Sequence, residues 1–575
     1  MIKLFTQAKI GWGKIFLLLL FITLQVAGTL YLPRLTASII DNGVVAGNRD
    51  YVFRTGALML GVAVFTGVFS ILGTFFSAEV ATSFSRNIRQ RLFKKTQDLS
   101  YQDFRHFNTS SLITRATNDI EQLQGTLSML FEMLIPAPFV VVIGIILSFR
   151  SDTYLGMIVL IASSVFLIVF IPLAVIVLPM FAKVQAGLDK INERVMQYIS
   201  GIRVIHAFNR TGLETESMNG SFQNQARLNI KINRLFAVMM PTIYLIMGIV
   251  MVGIIWFGGV RIDSGDMQLG AMTAVMEYSM NILMYLIMAV FVTIFIPRAK
   301  VCAARIREVL DYRAEIKDGK QHIDPASPLR LEFRNVNFRY QDAENPVLHN
   351  INFTCEQGTT TAIIGGTGSG KSTVARLIPR LIDATEGEIL LNGVNIKDLP
   401  QEEERRMVGF VPQKSFLFSG TIADNLRHGN KNATQEELEE AAMAAQAHGF
   451  IDEMENKYES TVEQGGRNFS GGQRQRLSIA RMLVKKPDVY VFDDSFSALD
   501  FKTDAALRKA LKAVTQNAIV VTIAQRISSI KDSNQIIVMD EGKIASIGTH
   551  EQLLAICPVY LEIAKSQLSE EELGL

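Results

Sequence analysis

Six long apolar stretches, at residues 15–32, 55–78, 131–149, 154–182, 236–260 and 269–297, constrain this chain more than any other feature. A helix needs ~20 apolar residues to cross a hydrocarbon core ~30 Å thick, and there every backbone polar group must be bonded within the segment itself. These stretches hold almost no charge, so the expected fold of the first three hundred residues is a polytopic bundle of six transmembrane helices. The first stretch is not read as a cleaved leader. Its apolar run is too long, and no small-residue cleavage site precedes the polar residues 41–50.

An even number of spans places both termini on one side, and the Lys/Arg bias indicates which. Lys3, Lys9 and Lys14 precede the first span. The connection between spans two and three carries Arg86, Arg89, Arg91, Lys94, Lys95, Arg105 and Arg115. That between spans four and five carries Lys183, Lys190, Arg194, Arg203, Arg210, Arg227, Lys231 and Arg234. The opposite loops are short and hold mainly Arg49, Arg150 and Arg261. Both termini are therefore expected in the cytoplasm. The basic segments 79–130 and 183–234 repeat apolar residues at helical spacing, as in Leu112, Ile113, Ala116, Ile120 and Leu123. As helical hairpins with arms of ~25 residues they project roughly 35 Å from the bilayer.

Span six carries Glu277, and an intramembrane carboxylate is costly enough to make function the first hypothesis. At 100° per residue Met280, Asn281, Met284 and Met288 share its face. Thioethers adapt to many shapes, so the stripe suits small amphipathic compounds, cations among them. Two readings stay open: a substrate surface, or methionines filling gaps between helices while Glu277 bonds a neighbouring span.

Composition averages over two different halves. Over 575 residues 49% are hydrophobic and 19% charged, which excludes a disordered chain. The formal net charge of +2 gives no reason to expect a nucleic-acid partner. Three cysteines, Cys302, Cys355 and Cys557, make no disulfide scaffold and read as reduced, buried small hydrophobes. From Leu331 onward short apolar runs broken by glycine replace the long ones, the texture of a soluble α/β domain. The expected organisation is a transmembrane domain over 1–300, a linker over 301–330 and a soluble domain over 331–575.

In that domain an apolar strand at 360–364 runs into Gly365-Gly366-Thr367-Gly368-Ser369-Gly370-Lys371-Ser372-Thr373, and residues 374–380 read as a helix. This is GxxxxGK[ST] in the strand–loop–helix setting that gives the motif meaning. Glycines let backbone N–H groups curl round a phosphate, and a helix N-terminus favours the anion. Lys371 is expected to reach the β and γ phosphates, and Ser372 to ligate Mg²⁺. A second apolar strand, 489–493, ends in Asp493 and Asp494, with Asp493 placed to hold Mg²⁺. Between them Phe469-Ser470-Gly471-Gly472-Gln473 opens a further helix.

Taken together, these motifs resemble those of ATP-binding cassette (ABC) exporters, in the form of a half-transporter with six spans fused to one cassette. The resemblance covers nearly the whole chain. It implies ATP and Mg²⁺ as cofactors and an ATPase coupled to transport. Ser470-Gly471-Gly472-Gln473 matches the family signature, with Phe469 where Leu is usual. Tyr340 matches the aromatic that stacks on adenine, Gln413 the glutamine that senses Mg²⁺ and the membrane domain, and Asp500 the end of the loop that crosses the dimer interface. In the family two cassettes sandwich two ATPs, each between one chain's phosphate loop and the other's signature.

Two positions depart from the family pattern. The general base is a Glu directly after the Mg²⁺-binding Asp; here it is Asp494, shorter by one C–C bond of roughly 1.5 Å. The switch histidine is replaced by Gln525, whose amide can donate a hydrogen bond but cannot titrate. The resemblance is therefore to the degenerate-site subunit of bacterial heterodimeric multidrug exporters. It implies a second, non-identical half-transporter that carries the Glu and the His, low hydrolysis at this chain's own site, and membrane lipid around the spans. A nucleotide-gated channel or regulatory protein, and a lipid flippase, are the alternatives; an importer fits less well, since importers usually carry the cassette on a separate chain.

Overall fold

The computed structural model describes residues 2–324, 328–340 and 343–568; the acidic tail at 569–575 lies outside the described residues. Among these, six helices are long and apolar enough to cross a membrane: Trp12–Val45, Arg49–Gln97, Thr109–Ser151, Thr153–Ala207, Thr211–Asp263 and Leu269–Asp311. Each overruns the apolar stretch from which it was read. In Arg49–Gln97 only 6% of the most apolar window is buried within the chain. An apolar helix with its side chains turned outward is stable only where lipid or protein replaces water.

The longest overruns carry helix into the two basic segments 79–130 and 183–234. Helices Thr153–Ala207 and Thr211–Asp263 run through 183–207 and 211–234, parted by a turn at 208–210. Span six ends at Thr293, and a second helix, Ile296–Asp311, continues from it. Prolines 33, 172, 179 and 241 stand inside these helices. The chain divides into two compact units: residues 1–98 with 107–313, and residues 99–106 with 314–575. The eight-residue piece 99–106 thus belongs with the cassette although the sequence places it among the spans. It is tied there by the Asp103 carboxylate, which accepts the Ser100 and Glu315 N–H groups at 2.8 and 3.5 Å. The Arg376 guanidinium also lies 5.2 Å from the centre of the Tyr101 ring.

The cassette unit contains a six-stranded sheet in the spatial order Lys543–Gly548, Gln535–Asp540, Thr360–Gly365, Ile519–Ile523, Val489–Asp493 and Val408–Val411. Its inner strands pair in parallel. Val489–Asp493 and Ile519–Ile523 are buried on both faces, which explains why they read as unbroken apolar runs instead of alternating ones. An antiparallel sheet of Leu348–Glu356, Arg330–Phe338, Glu386–Leu391 and Val394–Asn395 shares one core with it, through Phe333, Phe353, Ile363 and Val521. A second core, around Leu426, Leu438, Leu477 and Leu483, supports the signature helix Gly471–Lys485. All three cysteines are free and buried.

Candidate nucleotide site

Parallel strands end together, and their C-terminal edge is where open α/β sheets place ligands. Ile363 pairs with Ile523, Ile523 with Asp493, and Phe492 with Val411. The residues just beyond those ends are the phosphate loop, Gln525, Asp494 and Gln413. Residues far apart in the chain thus line one cleft of about 540 Å³, formed by Gly365, Gly366, Thr367, Gly368, Gly370, Lys371, Ser372, Thr373, Gln413, Asp494 and Gln525, with Ile563, Ser566 and Gln567 among others.

The phosphate loop closes with Gly368 and Gly370 at φ +86° and +92°, a region that favours glycine. A Cβ on Gly366 or Gly368 would meet nothing within 4 Å, so the loop backbone faces open space at these two positions. The helix begins at Lys371 and ends at Leu377, three residues earlier at both ends than the sequence pattern indicated, because Gly370 serves as its N-cap. Lys371 Nζ donates to the Gly365 and Gly366 carbonyls at 2.8 and 2.6 Å and to Ser369 Oγ at 3.3 Å. Its half-burial lowers the ammonium pKa, and Asp494 and Asp493 oppose that.

Ser372 Oγ donates to Asp493 Oδ1 at 2.9 Å. A hydroxyl and a carboxylate at this separation are the hard oxygen donors that Mg²⁺ takes. Burial raises the Asp493 pKa, with Ser372 and Arg376 opposing it. Tyr340 packs edge-on to Phe338 at 4.8 Å, its hydroxyl 3.3 Å from Thr373 Oγ1, which leaves an aromatic platform beside the loop.

The other corner is arranged differently. Asp494 lies past the strand end in a left-handed turn at φ +49°, its N–H bonded to the Ile523 carbonyl at 3.0 Å. Its Oδ2 accepts two amides, Gln413 Nε2 at 3.0 Å and Gln525 Nε2 at 2.8 Å. Burial raises its pKa, opposed by hydrogen bonds from Gln413 and Ser497 and by the charges of Lys371 and Arg526.

The signature and Asp500 are built but do not line this cleft. Ser470 caps its helix through Gln473 N–H at 3.2 Å, while Gln473 Oε1 accepts the Ser470 N–H at 2.9 Å, a reciprocal capping box. Asp500 caps the helix Phe501–Val514 through Thr503 N–H at 2.9 Å. In the membrane unit Glu277, Met280, Asn281, Met284 and Met288 turn away from the buried Val275, Tyr278, Ile282 and Leu286 of their helix. Met280 and Met284 are 45% and 51% exposed, and Asn281 Nδ2 bonds the Glu277 carbonyl at 2.9 Å. Sequence reading missed two groups: Arg376, outside the cleft lining with its guanidinium 3.5 Å from the Tyr340 hydroxyl, and Gln567, which lines the cleft. Arg376 carries only the signal of a helix next to the loop, and Gln567 carries none.

Comparison with known proteins agrees with this geometry. Residues 15–295 match the family model of the ABC transporter transmembrane region, and residues 348–497 that of the ABC transporter domain. An uncharacterized ABC transporter ATP-binding protein of Mycobacterium tuberculosis is 38% identical over 95% of this chain and 94% of its own. An ATP-dependent lipid A-core flippase of Syntrophus aciditrophicus is 30% identical over 85% of this chain and 81% of its own. The solved structure of a bacterial Atm1-family ABC exporter with ATP bound superposes with a TM-score of 0.82 at 25% identity, covering 97% of this chain and 98% of that one. This chain belongs to the ABC transporter family, as an exporter half-transporter whose six membrane helices are fused to an ATP-hydrolysing cassette.

Proposed function

We propose that this chain is the degenerate-site subunit of a heterodimeric exporter of amphipathic compounds, binding ATP firmly and hydrolysing it slowly at its own phosphate loop. The observation that carries this is the double amide contact on Asp494 Oδ2, from Gln413 at 3.0 Å and Gln525 at 2.8 Å. A general base needs a lone pair aimed at the attacking water. Here one carboxylate oxygen already accepts two N–H donors, and the side chain is a methylene shorter than the Glu usual in the family. Misplacement of about 1 Å costs up to ~10²-fold in rate, and a positioned base contributes ~10²–10⁴-fold.

The remaining residues take the roles their chemistry allows. The loop 365–373 wraps the phosphates, Lys371 supplies a point charge to them, and Tyr340 offers its ring to the adenine. Ser372 and Asp493, with Gln413 beside them, would hold Mg²⁺, which supplies charge neutralisation when bound. Gln525 can donate to a γ-phosphate oxygen but is held on Asp494 instead. Ser470, Gly471, Gly472, Gln473 and Asp500 lie outside this cleft and are read as completing a competent site on a partner chain with the Glu and the His. Binding of ATP closes the paired cassettes, and hydrolysis at the partner's site resets them. The termini and cassette are placed in the cytoplasm of a bacterial plasma membrane, and the face of Glu277, Met280, Asn281, Met284 and Met288 on the substrate pathway. A second reading, lipid flipping, is favoured by the similarity to lipid A-core flippases; its substrate has the same amphipathic chemistry.

The test is ATPase activity of the purified full chain in lipid nanodiscs. Little turnover is expected, with a rise of roughly 10²-fold on combining Asp494→Glu with Gln525→His. Robust hydrolysis by the unaltered chain, not increased by the pair, would replace this reading with an active homodimer.

A further inference from the structure

Gln567 reaches the turn that carries Gln525 from a part of the chain to which none of the motifs belongs. It stands two residues beyond the helix Pro558–Lys565. Its Oε1 accepts the Ile527 N–H at 2.8 Å, and its Nε2 donates to the Gln525 carbonyl at 2.8 Å. Both lengths are those of well-formed hydrogen bonds. One planar carboxamide therefore pins the turn at its two ends, on either side of Arg526. The helix before it is anchored in its turn, since Tyr560 and Ala564 are buried in one cluster with Ala524 and Ile527. Gln567 and Ser566 also form part of the wall of the nucleotide cleft.

The direction in which side chain 525 leaves the backbone is set by this turn. We propose that Gln567 is a positioning residue: by clamping Gln525 and Ile527 it aims side chain 525 along the line between Asp494 and the γ-phosphate. The consequence is that the cleft reads the γ-phosphate partly through the C-terminal helix, so whatever displaces that helix loosens the distinction between ATP and ADP. The inference rests on the reading that position 525 faces the γ-phosphate. Only an amide satisfies both backbone groups here: a carboxylate can accept from Ile527 but repels the Gln525 carbonyl, and an alkyl side chain serves neither.

The experiment measures ATP and ADP affinity of the full chain in lipid nanodiscs, comparing the unaltered protein with Gln567→Leu, Gln567→Glu and Gln525→Ala. Gln567→Leu is expected to reduce the preference for ATP over ADP about fivefold, the size of one net hydrogen bond, with ADP affinity unchanged. Gln567→Glu, isosteric and keeping one of the two bonds, falls between. If Gln525→Ala lowers the preference and both Gln567 variants leave it within twofold, the positioning role is wrong while the reading of residue 525 stands. If Gln525→Ala also has no effect, that reading fails and the inference with it. Equal loss of ATP and ADP affinity in both Gln567 variants would mark a merely structural residue and overturn the proposal.

Discussion

The nucleotide cleft has two corners built on neighbouring strands of one sheet, and they differ in what their polar groups are bonded to. At the phosphate loop the groups serve an incoming anion: Gly368 and Gly370 adopt left-handed turns, Gly366 and Gly368 leave open space, and Lys371 is stored against loop carbonyls. At the other corner the groups serve one another, with Gln413 and Gln525 both spent on Asp494. The first arrangement is primed for binding and the second is closed on itself. On the proposed reading, one sheet edge keeps affinity while giving up turnover, because the two properties depend on different loops.

The comparison breaks most visibly at Lys371. Replacing it with Ala removes the only side-chain cation that lines the cleft among the described residues. The expected loss in ATP affinity is roughly 100-fold, about 2–3 kcal/mol for hydrogen bonds to a charged group, read by titration of the nanodisc-held chain. Retention of affinity within fivefold would mean that the loop backbone alone carries binding.

A carboxyl outside both corners sets the pH at which they are best compared. Glu404 is fully buried, and neither of its oxygens has a hydrogen-bond partner. Burial pushes its pKa up to about 7, against the opposing charges of Arg405, Arg380 and Lys485. The folded cassette then holds a proton between its ordinary value of 4.5 and about 7 that the unfolded chain has lost. Stability is accordingly highest below pH 4.5 on this account and falls as pH rises through 7. The difference amounts to about 3 kcal/mol. Glu404→Gln should raise the thermal midpoint of the cassette by several degrees at pH 8 and hardly at all at pH 5. An equal shift at both pH values would remove Glu404 as the cause.

The smallest expected effect is the most telling for the second corner. If Asp494 is tied up and does not act as a base, Asp494→Asn should change the basal ATPase of the unaltered chain by less than about threefold. A fall of 10²-fold, of the size a working base supplies, would show that the amide contacts do not disable it.

How far the sequence could be read follows from how local each interaction is. The spans were legible because hydrocarbon tolerates only a continuous apolar helix, so the requirement is written residue by residue. The phosphate loop was legible for a similar reason: its glycines, lysine and serine act within nine consecutive positions. Asp494 and Gln525 could each be marked as departures, yet their contact could not be foreseen. Nothing in residues 494 and 525 separately says that parallel pairing of 489–493 with 519–523 brings them within 2.8 Å. The strand ending in Asp493 was visible as an apolar run, whereas the left-handed turn at Asp494 was not, since it depends on the hydrogen bond to Ile523. The piece 99–106 read as cytoplasmic helix by composition, but only its packing joined it to the cassette.

What the sequence determined by itself was therefore the set of local requirements: six membrane helices, a phosphate loop, a capped signature helix, and two altered side chains. Tertiary structure alone decided that the altered pair meet, that Gln413 joins them, and that Gln567 pins the turn behind. The physical reason is that side-chain periodicity and turn chemistry act over a few residues, while hydrogen bonds across a sheet depend on register, which is a property of the assembled strands.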